Sequence, residues 1–204
     1  MGKNLSALGF MSGTSGDGVD TSIISSNGKD KINIKYNRFD PYPASLSNKI
    51  HSVKENILQM QDLLKYSSEI EELEIQITNF HADIASKTPK EIQYDLIGFH
   101  GHTIYHNSGE KISKQIGLGF HLSNKTKKTV VYDFRQEDIK NGGEGAPLSP
   151  IYHLALIKEL FNENKVNIPI SILNIGGIAN ITEIDKDFKI TSRDIGPGNC
   201  LIDK

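Results

Sequence analysis

"GFMSGTSGDGVD", residues 9–20, decides how the rest of the chain is read. An apolar run leads in ("LGFM") and another follows ("VDTSII"). Between them stand Gly13, Gly16 and Gly18, the hydroxyls of Ser12, Thr14 and Ser15, and the carboxylates Asp17 and Asp20. The simplest reading is a β-hairpin turn, in which Gly supplies positive φ and Ser, Thr and Asp bond nearby amides. A two-residue hairpin needs only one glycine, however. Bare amides beside hydroxyls also make a concavity that suits an anion such as phosphate. The two carboxylates suit a magnesium ion next to that phosphate, because hard cations take oxygen ligands. No Walker loop is involved, since G-x-x-x-x-G-K-[ST] occurs nowhere in the chain. From these residues alone, the plain turn and the phosphate hairpin both stay open.

Outward from this loop, residues 5–11, 19–25 and 31–38 read as three strands joined by "GTSGDG" and "SNGKD". The second link carries Asn27-Gly28, a hairpin signal. "PYPASLSNKIHSVKEN" opens a helical region. Residues 61–87 carry Leu63, Leu64, Ile70, Leu73, Ile77, Phe80 and Ile84 at helical spacing, which predicts one long helix. "YDLIGFHG" (94–101) reads as a buried strand ending in a loop, and "QIGLG" and "KTVVYDF" as short strands with a helix between them. A helix follows Pro150, and "PISILNIGGIANITEI" reads as two strands around Gly176-Gly177. Strands alternating with helices define an α/β class. The segment from 169 reads as the opening of a second sheet, and so small an apolar piece is marginal by itself. The expectation is a complete first domain over 1–168 and a truncated second domain over 169–204.

Bulk properties narrow the function. Of the 204 residues, 37% are hydrophobic and 24% charged, as in soluble globular proteins. A net charge of −2 gives no nucleic-acid surface. The single Cys200 excludes an internal disulfide framework and fits a reducing cytoplasm. No apolar run approaches the roughly 20 residues that cross a membrane. "MGKNLS" matches the myristoylation pattern, but "LSALGFM" reads as a first buried strand from about residue 5, which argues against a lipid anchor.

Gly- and Asx-rich loops recur at the strand ends: "SGTSGDG", "HGHT", "DFR", "NGGEGAP", "NIGGIAN" and "DIGPGN". In α/β folds ligands bind at the carboxyl ends of strands. Any one such loop is more often a turn, but six favour a large polar substrate or two substrates. "FHGHTIYH" groups His100, His102 and His106. If the strand continues, His100 and His102 share a face as a zinc pair would. The competing reading has them bonding backbone or a polar ligand, and no Cys is near to complete a metal set. Asp133 directly follows the apolar Val130-Val131 run. It can serve as a general base at a cleft mouth or cap the helical "RQEDIK" segment. Arg135 can pair with Asp133 or grip a ligand carboxylate.

Together, "MSGTSGDGVD", "GFHGHTIYH", "VVYDFRQEDIKNGGEGAPLSPIYH", "LNIGGIANIT" and "DIGPGNCLID" resemble the anhydro-N-acetylmuramic acid kinase family in content and order, over residues 9–203. The resemblance implies an actin/hexokinase-like (ribonuclease H-like) fold, with ATP between two α/β domains. It implies hydrolysis of the 1,6-anhydro bond of 1,6-anhydro-N-acetylmuramic acid and phosphorylation of O6, giving N-acetylmuramate 6-phosphate and ADP in cell-wall recycling. Asp133 matches the family's catalytic aspartate. ATP and Mg2+ fall to Gly13, Thr14, Ser15, Gly16, Asp17, Gly18, Val19 and Asp20, with Asp17 and Asp20 toward the metal and Gly176, Gly177 and Asn180 toward the nucleotide. His100, Gly101, Thr103, Arg135, Gly145, Asp194, Gly196, Gly198 and Asn199 fall to the sugar. The partners expected are this small amino sugar, no nucleic acid and no membrane, with a homodimer left open.

The chain departs from the family pattern at three positions. Gly16 stands where Leu or Met is expected, which loosens the hairpin by removing a packed side chain. His102 and Glu144 stand where Gln is expected, and Glu144 adds negative charge near an anionic substrate. The family's chain also continues past residue 204, so much of the adenosine site is expected beyond it. The competing expectation is a sugar- or nucleotide-binding remnant without turnover.

Overall fold

The computed structural model describes residues 4–199. Cys200 and the end of the "DIGPGNCLID" motif lie outside the described residues. The chain divides into two compact units, one from Leu5–Ser25 with Ile34–Gly145, the other from Ala146 onward with Ser26–Asn33.

In the first unit, β1 (Leu5–Ser12), β2 (Gly18–Ser26) and β3 (Ile32–Pro41) lie side by side. Period-two alternation puts Leu8 and Phe10 of β1 on the buried face, where Val19 and Ile23 of β2 join them. Helices α1 (Ala44–Asn56), α2 (Met60–Lys65) and α3 (Ser67–Ser86) follow. α3 buries Ile70, Leu73, Ile77 and Ile84, one stripe of a 3.6-residue period. These side chains meet Ile50 of α1, Leu8, Phe10 and Phe99 in one core. Burial at about 25 cal/mol per Å2 makes this cluster the main driving force of the unit.

The single long helix expected over 61–87 is two helices. Tyr66 leaves helical geometry (φ −105°, ψ 26°) and ends α2 by donating to the Asp62 carbonyl at 2.9 Å. Leu64, 83% exposed, lies off the buried stripe, whereas Leu63 and Tyr66 pack against the core.

β4 (Leu96–Asn107) is longer than the expected 94–101 strand and does not end in a loop. It pairs in parallel with β1, Phe10 opposite Phe99, and with β6 (Thr129–Tyr132), Phe99 opposite Tyr132. From His102 it pairs antiparallel with β5 (Ile112–Ile116). β1 still faces β4 at His102, so β5 and β6 share the opposite edge of β4 and the sheet forks there. Gly101 makes the continuation feasible. Its φ of +73° permits a bulge, and a Cβ there would stand 2.4 Å from the Ile116 carbonyl oxygen. α4 (Gly119–Thr126) lies between β5 and β6 in sequence and packs on α3, and α5 (Phe134–Lys140) follows β6.

The second unit holds α6 (Pro150–Asn162) and an antiparallel sheet of β7 (Ile170–Ile175), β8 (Ile178–Ile184) and β9 (Ile190–Pro197). Nδ1 of His153 on α6 meets Thr182 Oγ1 of β8 at 2.8 Å, and the Phe161 and Phe188 rings meet edge to face at 5.5 Å. Leu173, Ile175, Ile178 and Ile195 are half exposed or more. The fold class is the α/β expected from the sequence.

Candidate active site

In the first unit, three neighbouring segments run parallel toward one edge of the sheet: β1 ends at Ser12, the stretch of β4 paired with β6 ends at Phe99, and β6 ends at Tyr132. Each carboxyl end carries one predicted loop. Gly13, Thr14, Ser15, Gly16 and Asp17 follow β1, His100 and Gly101 continue β4, and Asp133 follows β6. Residues far apart in sequence therefore reach the edge where α/β proteins bind ligands.

The loop after β1 is a turn closed by the Gly16 N–H to the Gly13 carbonyl at 3.1 Å. The Ser15 hydroxyl donates to Asp17 Oδ1 at 2.7 Å. Gly18, Val19 and Asp20 begin β2; Val19 is buried and Asp20 exposed. Gly16 has φ +65°, and a Cβ built there would sit 3.2 Å from His51 Nε2. The space that the expected Leu or Met side chain would fill is thus occupied by the His51 ring. The loop is also bonded to α1, the Ser47 hydroxyl reaching the Gly16 carbonyl at 2.8 Å, so it is not loose in the way the sequence suggested.

His100 and Arg135 form the centre of the second cluster. Arg135 donates from Nε to His100 Nε2 at 2.8 Å and from Nη1 to the Gly145 carbonyl at 3.0 Å. His100 Nδ1 meets the Gly101 carbonyl at 3.0 Å. An arginine nitrogen can only donate, so Nε2 is the acceptor and the proton sits on Nδ1. Burial first, and then the Arg135 charge, hold the His100 pKa below its usual value. Gly145 is fixed in turn by its N–H to Asp138 Oδ2 at 2.8 Å. Thr103 accepts at its hydroxyl from Gln115 at 3.2 Å.

Asp133 occupies the N-cap position of α5, but its side chain makes no capping bond. It is exposed and its backbone is left-handed at φ +65°. A non-glycine residue there is strained, and such strain gathers at functional positions. Arg135 turns to His100 and Gly145 and makes no ion pair with Asp133 among the described residues.

The shared-face histidine pair does not form. The bulge at Gly101 breaks the alternation of β4, so His100 meets Arg135 while His102 turns into the core. His102 Nδ1 meets Ser12 Oγ at 2.7 Å, and Ser12 Oγ meets the Tyr42 hydroxyl at 2.8 Å. Burial, followed by the Lys54 charge, lowers the His102 pKa to about 3, and burial raises Tyr42 to about 12. His106 lies exposed farther along β4. Among the described residues, no three His, Cys, Asp or Glu side chains gather in a metal-holding group. Sequence reading missed Tyr42, Ser47, Lys54 and Asp138, which lie just before α1, in α1 and in α5 and carried no signal beyond a polar side chain.

The second unit brings together its own predicted residues. Gly198 and Asn199 donate from their N–H groups to the Gly177 and Gly176 carbonyls, each at 2.9 Å. Asn180 stands opposite Asp194 across a bulge, one step from Gly196. A shallow hollow of about 410 Å3 lies at the opposite end of this sheet, beside Pro169, Glu183 and Lys189, away from that cluster.

This fold and site define a mixed α/β protein whose polar loops collect at the carboxyl edge of parallel strands. Residues 5–204 match the family described as anhydro-N-acetylmuramic acid kinase, and the chain belongs to that family. It is 48% identical over 210 residues to the anhydro-N-acetylmuramic acid kinase of Pelagibacter ubique, covering 100% of this chain and 54% of that relative. It is 36% identical to the same-named protein of Rhizobium johnstonii (97% of this chain, 54% of the relative). It is 35% identical to that of Bradyrhizobium diazoefficiens (98% and 54%). The chain thus spans about half the length of these relatives.

Proposed function

We propose that this chain carries the phosphate loop and the base of a kinase that opens the 1,6-anhydro bond of anhydro-N-acetylmuramic acid and transfers the γ-phosphoryl group of ATP to O6. The observation that carries the reading is the arrival of loop 13–17, His100 and Asp133 at the carboxyl ends of three adjacent parallel segments. The exposed Asp133 carboxylate takes a proton from the water that attacks the anomeric carbon. The bond from that carbon to O6 breaks as the bond to water oxygen forms. The freed O6 takes the γ-phosphoryl group, and ADP leaves. In this scheme the phosphoryl group replaces the acid that glycoside hydrolysis usually needs.

Arg135, His100 and the Gly101 and Gly145 backbones form a preformed polar wall for the sugar. The amides of Thr14, Ser15 and Asp17 receive phosphate. Asp17 in the loop and Asp20 at the start of β2 are hard oxygen donors of the kind magnesium takes, and they would hold the ion together with phosphate oxygens and water. When bound, the ion neutralises charge on the phosphates. Gly176, Gly177 and Asn180 are assigned to the nucleotide and Asp194, Gly196, Gly198 and Asn199 to the sugar on the family resemblance. The reaction is assigned to peptidoglycan recycling in the cytoplasm. No described helix is long and apolar enough to cross a membrane.

The test is Asp133→Asn in the active enzyme. A positioned base contributes about 10²–10⁴-fold, so turnover falls by that range while sugar binding persists. Near-full turnover would assign the base elsewhere. The share of the relatives' length spanned here, 54%, favours a second reading, in which this stretch binds ligands and turnover needs the relatives' remaining half. An ADP-release assay on the 204-residue chain separates the two: turnover of about 1 s⁻¹ or more, ordinary for an enzyme, excludes the second.

A further inference from the structure

Four carbonyls of the loop after β1 are hydrogen-bonded. Gly13 O accepts from Gly16 N–H at 3.1 Å, and Asp17 O accepts from Tyr42 N–H at 2.9 Å. Thr14 O accepts from the Lys54 ammonium at 2.5 Å and Gly16 O from the Ser47 hydroxyl at 2.8 Å. Outside the strand ladders, no hydrogen bond among the described residues uses the N–H of Thr14, Ser15 or Asp17.

These two sets are linked. In a trans peptide the carbonyl of one residue and the N–H of the next point in opposite directions. The bonded carbonyls of Gly13, Thr14 and Gly16 are the peptide partners of the N–H groups of Thr14, Ser15 and Asp17. Holding the Thr14 and Gly16 carbonyls toward α1 therefore aims the Ser15 and Asp17 amides away from it. Two of the three holding bonds come from α1 side chains, Ser47 and Lys54, seven residues apart and so on one face of the helix.

Lys54 adds charge to this geometry. Among the described residues it has no ion pair, and burial lowers its pKa. An ammonium on the Thr14 carbonyl polarises that peptide and strengthens its N–H, that of Ser15, as a donor. A half-buried cation without a carboxylate gains most when an anion arrives.

We infer that Lys54 and Ser47 are positioning residues of the loop: they aim the Ser15 and Asp17 amides at a bound polyphosphate, and Lys54 supplies the charge that the polyphosphate balances. The inference rests on reading residues 13–20 as a phosphate loop.

Magnesium tripolyphosphate, which needs no adenosine pocket, is the probe, titrated calorimetrically into the 204-residue chain. Thr14→Pro, which removes one amide at a turn position that suits proline, reports on the loop itself and should weaken binding. Lys54→Met should weaken binding about tenfold or more, the effect of one lost charged hydrogen bond, and make affinity less sensitive to salt. Lys54→Arg should restore affinity to within about threefold, and Ser47→Ala should lie between. A merely structural lysine would lower the urea midpoint and leave the affinity of folded protein unchanged. Wild-type affinity in Lys54→Met, with weakening in Thr14→Pro, would overturn the inference and leave the phosphate loop standing. No binding by the wild type, or no effect of Thr14→Pro, would overturn both. If Lys54→Met does not fold, unchanged affinity in Ser47→Ala overturns the inference.

Discussion

Arg135 donates from Nε to Nε2 of His100 at 2.8 Å, and this bond fixes the proton of His100 on Nδ1, beside the Gly101 carbonyl. One guanidinium thereby ties α5 to β4 while its other arm holds the Gly145 carbonyl at 3.0 Å. A lysine has no planar fork to reach both acceptors. Arg135→Lys should weaken binding of 1,6-anhydro-N-acetylmuramic acid about tenfold, read by calorimetry. Unchanged affinity would remove Arg135 from the sugar wall.

Acid should destabilise the first unit through two core histidines. Burial lowers His102 to about 3 and His81 to about 4, against about 6.5 for an unfolded imidazole. Below pH 6.5 the unfolded chain binds more protons, so stability is whole above that pH and falls as the pH drops toward 4. Each buried imidazole accounts for about 1.4 kcal/mol per pH unit in that window. Urea midpoints between pH 7.5 and 5 should show the loss. His102→Gln, which still bonds Ser12 but cannot protonate, should remove about half of the slope. An unchanged slope would show that other groups carry it.

Gly101→Ala combines a left-handed φ of +73° with a Cβ 2.4 Å from the Ile116 carbonyl oxygen. The expected loss is about 2 kcal/mol or more, measured by urea unfolding. A loss below about 0.5 kcal/mol would mean that β5 shifts aside at little expense.

Asp138 accepts the Gly145 N–H at 2.8 Å and holds the turn whose carbonyl Arg135 uses. Asp138→Ala should cost about 1–3 kcal/mol and also weaken sugar binding, although Asp138 belongs to no predicted site. Unchanged sugar affinity in a destabilised variant would confine Asp138 to a structural role.

Local patterns made much of the fold legible. Leu8, Phe10, Val19 and Ile23 alternate as strands on a buried face must. Asn27 accepts at Oδ1 from the N–H groups of Lys29, Asp30 and Lys31, the side-chain turn that its position before Gly28 suggests. Tyr66 was illegible because nothing in its own identity breaks a helix, and the residues on either side carry the helical period across it. The shared face of His100 and His102 fails because period two assumes an unbulged strand, and Gly101, which permits the bulge, lies against Ile116, fifteen residues on. Polar residue types in loops announced the candidate site, but the bonds within it join partners far apart in sequence. His100 and Arg135 are 35 residues apart, and Thr14 and Lys54 are 40 apart.

The fork in the sheet has a consequence for amide exchange. From Leu96 to Phe99, β4 has β1 on one edge and β6 on the other, and from His102 the second place passes to β5. His100 and Gly101 fall where neither β6 nor β5 pairs with the strand. In deuterated buffer, the amides of 97–99 should exchange only through global opening, whereas those at the fork exchange through small local fluctuations. A single strand would then carry both the slowest and some of the fastest amides of its unit, with the boundary at His100.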